Sequence, residues 1–387
     1  MKRICIFLTI NLFVITVSGG CKQSGIQSDD LITVNVNASY PKKELVLQDF
    51  MDVEYIPLET NDDFLCQGEV LAVGKDIILV KNYNDDGDIF VFDRNGKALK
   101  KINRRGQGPE EYVYIEKIVL DEDNGEMFIN NNSAKKIIVY DLDGNFKRSF
   151  EHKENFYYGD IYNLDRENII CEDAVFYTGR LNKNIPTLIV VSKLDGGISK
   201  EIIIPYKEKI GTSVLFEMNG MSGAAVISNN IYTIIPHHNN FVVVEPSSDT
   251  IYTLLPDYNL SPFIVRTPPV QSMDPEKFLF PSILTERYYF METVRKEPGS
   301  SITNLMYDKQ EKAIFEYIVY NGDYTNNRQT DMKSAPVNSE IATWQKMEVY
   351  QLIEAKEKGE LKGKLKEIAD KLDEDDNPVI MLIKHKK

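Results

Sequence analysis

The 387-residue chain carries only four cysteines and four histidines, and that scarcity removes much chemistry at the outset. Cys5 falls in an apolar leader and Cys21 at its end, so Cys66 and Cys171 alone remain for the folded part. A bridge between them is open in an oxidising envelope, but a domain this large does not need one. Each is expected to be a small apolar filler of a strand. His237 and His238 are adjacent, and neighbours in a strand face opposite sides, so the pair is expected in a solvent-exposed hairpin rather than on one metal. His152 and His385 supply no spaced ligand set. No G-x-S-x-G elbow, Walker loop, H-E-x-x-H or C-x-x-C occurs. A basic cluster is missing too. The formal charge is −14, and Lys356, Lys358, Lys362 and Lys364 are interleaved with glutamates, which argues against nucleic acid and against anionic lipid head groups. Past the leader no segment reaches the roughly 18 uninterrupted apolar residues of a membrane helix.

What is present begins with an address. Lys2 and Arg3 precede an apolar run from Ile4 to Val17, followed by Ser18, Gly19, Gly20 and Cys21. This is the layout of a secretory signal peptide over residues 1–20. Small residues leading into a cysteine resemble a bacterial lipoprotein box, although Ser18 stands where a leucine is usual. Cys21 is therefore expected to be lipidated, with residues 21–31 as a polar tether and the lipid as the only membrane contact. Charged residues at 27% and hydrophobic residues at 42% predict that the remainder, 32–387, folds.

Internal repetition then sets the fold. IFVFDRNGKALKKI from Ile89, IIVYDLDGNFKRSF from Ile137 and LIVVSKLDGGISKEI from Leu188 each place a β-branched or aromatic run before a turn ending in glycine and a second strand. Asn95-Gly96, Asp143-Gly144 and Asp195-Gly196 predict two-residue type I′ hairpins. A period near fifty residues with several short strands per repeat is that of propeller blades. Blades are expected over 68–102, 115–150, 157–205 and, less regularly, 231–254 and 280–317. The sixth is expected from both chain ends, Asp52–Glu59 pairing with Asn377–Lys384. Leu361, Leu365, Ile368 and Leu372 at helical spacing predict an amphipathic helical segment within 341–372, packed on the disc.

The run GQGPEEYVYIEKIVLDEDNGEMFINNNSAKKIIVYDLDGNF from Gly106 resembles an NHL-type repeat. Together with VEYIPLET at Val53, SSDTIYTL at Ser247 and DEDDNPVIMLIK at Asp373, it makes the chain similar to six-bladed β-propeller lipoproteins of Bacteroides-type bacteria. The resemblance implies an all-β six-bladed propeller in the cell envelope and says little about activity.

Three candidate sites follow. Arg104, Arg105 and Glu111 flank the glycine-proline loop, and an arginine pair at a channel mouth could grip a carboxylate or sulfate. Asn82, Asn84, Asp86, Asp88 and Asp93 fall at nearly the spacing of a Ca2+ loop, yet Asn82 replaces the first Asp and strands flank it; a polar hairpin tip is the simpler expectation. The 21 tyrosines suit sugar stacking as well as strand packing. The expected function is a monomeric binding or scaffolding module for an envelope protein or glycan-type ligand, the alternative being a metal-dependent hydrolase, lactonase or lyase at the propeller axis.

Overall fold

The computed structural model describes residues 31–386 apart from 85, 155, 174–185, 219–220, 229 and 300. Blade 2 shows how the sequence builds a unit. Its strands Lys117–Asp121, Glu126–Asn131, Lys136–Asp141 and Phe146–Glu151 pair antiparallel in chain order, from the axis outward. The second strand is buried along its whole length, so both of its faces need cover. Phe128 and Val139 pack towards Tyr158 and Ile169 of the next blade, while Ile129, Ile138 and Tyr140 pack towards Leu79 and Val91 of the previous one. A lone four-stranded sheet cannot bury two apolar faces; stacking around an axis does, at about 1.5–3 kcal/mol for each large side chain enclosed. Six hydrophobic clusters result, one at each junction between adjacent blades.

Blade 1 runs through Glu69–Val73, Ile77–Lys81, Asp88–Asp93 and Ala98–Asn103, and blade 3 through Tyr158–Asn163, Asn168–Asp173, Leu188–Ser192 and Ile198–Ile202. A hairpin, Ser213–Met218 with Met221–Val226, separates blade 3 from blade 4. Blade 4 extends beyond its expected span of 231–254. It holds Ile234–His237, Asn240–Val243, Thr250–Leu254 and Leu260–Thr267, and Ile32–Asn35 lies parallel on its outer edge. Blade 5 comprises Lys277–Leu284, Tyr288–Arg295, Ile302–Asp308 and Ala313–Tyr320, with Lys42–Val46 parallel outside it. The N-terminal segment thus covers two blade edges that would otherwise present unpaired backbone groups.

Blade 6 closes the ring as the sequence predicts: Met381 faces Tyr55 in an antiparallel pair of Val379–His385 with Met51–Pro57. Its third strand, Ile341–Met347, corrects the helical reading of 341–372 at its start. That stretch pairs with the terminal strand, Gln345 opposite Met381. Within that stretch helices occupy only Val349–Glu357 and Gly363–Ala369; Leu352 and Leu365 on them, and Leu361 between them, bury against Tyr55, Met332 and Met381. Segment 331–338, which carries no strand, runs beside Ile341–Met347: Val337 N–H donates to Ala342 O at 3.2 Å and the Gln345 amide donates to Asp331 O at 2.6 Å.

The glycine turns differ from the expected type I′. Gly96, Gly144 and Gly196 have φ of 84°, 83° and 75°, but the residues before them are not left-handed. Asp93 N–H donates to Lys97 O, and a register shift follows Val91, which defines a type I turn with a glycine bulge. The Asp93 carboxylate fixes it by accepting from Asn95 N–H at 2.7 Å and Lys97 N–H at 2.9 Å, and Asp141 repeats the arrangement in blade 2. Cys66 and Cys171 are both buried and free, Cys171 within a strand and Cys66 in a connection.

Candidate functional site

The first strands of successive blades approach one another around the axis and leave between them a cavity of about 540 Å³. Blades 1, 2 and 3 contribute 69–75, 116–123 and 161–163, and blade 6 contributes 335–341 with Trp344. The lining strands are largely apolar: Ile118 and Leu120 turn into the junction with blade 1 and Val119 into that with blade 3, because strand neighbours face opposite ways.

Charge at the axis is arranged in pairs. Lys117 stands 3.4 Å from Asp160 and lies over the Tyr162 ring at 5.2 Å, and the Tyr162 hydroxyl donates to Asp160 at 3.2 Å. Lys81 meets Glu69 at 3.7 Å. Deeper in the blades, Lys193 and Asp121 form a buried pair at 2.5 Å, and Lys209 holds Glu245 at 2.7 Å. Glu292 accepts from the Ser228 hydroxyl at 2.6 Å and meets Lys333 at 3.7 Å. Glu172 differs: burial, then the neighbouring Asp160 carboxylate, push its carboxyl well above the usual range. At one end of the cavity, Glu122 of blade 2 accepts from the N–H groups of Lys75, Asp76 and Ile77, tying the first turn of blade 1 to its neighbour.

A second cavity, of about 230 Å³, opens where the turns after the first strands of blades 4, 5 and 6 meet. Pro236, His237 and His238 line it from blade 4, Leu284, Thr285 and Glu286 from blade 5, and Ser339, Glu340, His385 and Lys386 from blade 6. The expectation that His237 and His238 point apart is corrected here. His238 adopts a left-handed φ of 52°, which brings its ring to 4.1 Å from that of His237. Among the described residues, no group of three or more His, Cys, Asp or Glu side chains could hold a metal ion.

The residues singled out in the sequence lie elsewhere. Arg104 donates to Gly144 O at 2.8 Å on the turn of the next blade, and Glu111 curls back to accept from Gly108 N–H at 2.8 Å. Arg105, exposed, packs against Gly87. The three therefore brace the connection between blades 1 and 2, and none lines the axial cavity. In the suggested Ca2+ loop, Asn82 donates to Asp86 at 2.8 Å, Asp86 caps Asp88 N–H at 2.9 Å, and Asn84 stays exposed. Asp93 sits at the far end of the strand Asp88–Asp93, about 17 Å away at strand rise, serving the glycine turn instead. The set is not gathered around one point. Cys21 and the tether to residue 30 lie outside the described residues. Trp344, Asn163 and Asn338 were missed because no local motif marks a wall shared by four blades.

Six sheets in a ring around a lined axial cavity define a six-bladed β-propeller. The chain belongs to the family described as Domain of unknown function (DUF4934), whose model matches residues 31–384. No curated protein matches it. Among solved structures it is similar to a presumed exported protein from Bacteroides fragilis NCTC 9343, at 13% identity and a TM-score of 0.56, covering 92% of this chain and 99% of that one. A DUF4221 member from Bacteroides vulgatus ATCC 8482 aligns at 9% identity and a TM-score of 0.44, covering 73% and 94%. Virginiamycin B lyase from Staphylococcus aureus aligns at 13% identity and 0.33, covering 66% and 88%. Likeness at these identities concerns the fold.

Proposed function

We propose that this propeller is a binding module of the bacterial cell envelope, held there by lipid on Cys21, and that its axial cavity takes a glycan-type ligand. The observation that carries the reading is the pairing at the axis. Glu69 and Lys117 of the cavity wall are each paired, with Lys81 and Asp160, so the lining offers shape and polarity. Trp344 supplies ring surface, and Asn163 and Asn338 supply amides, the combination that suits the flat faces and hydroxyl rims of sugars. The N-terminal address, the net charge of −14 and the absence of a basic cluster support an exported protein without a nucleic-acid partner.

Trp344 is the only tryptophan and lines the cavity, so its fluorescence reports occupancy directly. Titrating the full chain with soluble plant, mucin and cell-wall oligosaccharides is expected to give a saturable change for at least one class. A flat response across the panel, with calorimetry equally empty, would sink the glycan reading.

One observation favours catalysis as the second reading. Glu172, whose carboxyl is pushed well above the usual range by burial and then by the neighbouring Asp160, has the makings of a general acid. Turnover of a panel glycan that disappears in Glu172→Gln would decide for it.

A further inference from the structure

Resting on the glycan reading of the axial cavity, we infer that this site selects sugars carrying a free, protonated amine and turns away uronic and sulfated ones. The cavity and the Trp344 ring make the site; the charge of its wall decides what enters. Among the described residues the wall holds six acids, Glu69, Glu116, Asp121, Glu122, Asp123 and Glu340, against two cations, Lys75 and Lys117. The acids stand at both ends of the lining strands. Glu69 opens Glu69–Val73 and Glu116 precedes Lys117–Asp121, whereas Glu122 and Asp123 follow that strand.

Both wall cations are committed. Lys75 lies 2.6 Å from Asp123, and Lys117 lies 3.4 Å from Asp160. Behind the wall, Lys81 meets Glu69, Lys193 meets Asp121 and Lys384 meets Glu340. With those three cations and Asp160 added to the wall, acids still outnumber cations by seven to five. The excess shows at Glu122. Its oxygens accept from the backbone N–H groups of Lys75, Asp76 and Ile77, and among the described residues it forms no ion pair.

This balance acts in opposite ways on ligands of opposite sign. A carboxylate or sulfate brought between these strands meets like charge and finds no uncommitted cation; arginine, whose fork grips such groups in pairs of bonds, is missing from the wall. An ammonium meets unbalanced carboxylate and, at Trp344, the aromatic face that attracts cations most strongly. The net charge of −14 adds a field of the same sign around the whole molecule, and the largely apolar strands focus it in the cavity. Asn163 and Ser339, exposed in the wall, offer partners to ring hydroxyls, which a simple polyamine lacks.

The test titrates the full chain at mildly acidic pH, by Trp344 fluorescence and calorimetry, with three oligosaccharides of equal length: a glucosamine oligomer, its fully N-acetylated counterpart and an oligogalacturonate. Spermine serves as a sugar-free polycation. The glucosamine oligomer is expected to bind at least about tenfold more tightly than the N-acetylated one, by a margin that shrinks as salt rises, and the uronate is expected not to bind. Glu116→Lys reverses the charge of an exposed wall residue and should cut that preference at least about fivefold, with Glu116→Gln acting in the same direction by less. Glu151→Lys makes the same change of net charge on the outer strand of blade 2 and should leave the preference intact. Equal or tighter binding of the N-acetylated oligomer or of the uronate overturns the selection and leaves the glycan reading standing. Spermine matching the glucosamine oligomer, or a preference that both Glu116 variants leave untouched, reduces it to bulk charge and overturns it as well. Silence from all three sugars removes the glycan reading and this inference together.

Discussion

The side-chain oxygen of Asn377 accepts a hydrogen bond from the backbone N–H of Cys66 at 2.8 Å. The same amide donates to Glu59 O at 2.8 Å and Phe64 O at 2.6 Å, and its backbone N–H donates to the Thr60 hydroxyl at 2.8 Å. One nearly buried side chain just before the final strand thus fastens the loop that leads from the outer strand of blade 6 into blade 1. Because Asn377 leads into the last strand and the loop follows Met51–Pro57, the contact ties the C-terminal segment to the N-terminal one and acts as a clasp on the ring.

Replacing Asn377 with Ala strands the buried Cys66 N–H and removes the donor from two part-buried carbonyls, those of Glu59 and Phe64. A cost of roughly 2 kcal/mol is expected, most of it from the Cys66 N–H. Urea unfolding followed by Trp344 fluorescence measures it, and a loss below about 1 kcal/mol would show that the clasp is dispensable.

Glycine turns give a sharper comparison. Gly96 and Gly125 both have positive φ, 84° and 64°, so a side chain at either meets the same left-handed penalty of about 1–2 kcal/mol. They differ in surroundings. A Cβ on Gly96 would fall on the carbonyl oxygen of Pro57, whereas one on Gly125 meets nothing within 4 Å. Gly96→Ala should therefore lower the melting temperature clearly more than Gly125→Ala, since backbone of the neighbouring blade must move in the first case only. Equal shifts would mean that the close approach of blade 1 to blade 6 carries no weight.

These turns also explain how much of the fold could be read beforehand. In blades 1 to 3 a glycine takes the left-handed position, and the repeat stands out. In blades 4 and 5 that conformation falls on Tyr258 and Lys312, with φ of 65° and 50°, so the punctuation vanishes although the hairpins persist. The strand Ile341–Met347 fell inside the expected helical segment because Leu361, Leu365, Ile368 and Leu372 further along carry a helical period; what makes it a strand is its distant partner at Val379–His385. Ile32–Asn35 and Lys42–Val46 were missed for the same cause, being short segments defined by edges of blades 4 and 5. The sites were less legible still. The axial cavity draws single residues from four blades, and the histidine pocket depends on a left-handed turn at His238 and a strand beginning at Val379.

Acid should loosen the molecule through Glu126. Two bonds from Arg148, at 2.8 and 2.7 Å, outweigh the opposing effect of burial and, with Lys147, hold the carboxyl down at about 2 against an ordinary 4.5. Asp308 behaves alike: burial alone would raise it, but Arg287 and Lys43 bring it to about 2 from 3.8. A group whose folded value lies below its unfolded value binds protons more readily once unfolded. Its stabilisation is complete above the unfolded value and drains away as the pH falls towards the folded one. Both groups therefore cost stability across the interval from 4.5 to about 2. Arg148 also donates to Lys193 O at 2.6 Å, so the Glu126 pair reaches from blade 2 into blade 3. Glu126→Gln should destabilise the protein by roughly 2 kcal/mol at neutral pH and by nearly nothing near the acid end, because the wild type has by then lost the same charge. Melting temperatures of the two proteins across that range should converge on acidification; parallel curves would place the acid sensitivity elsewhere.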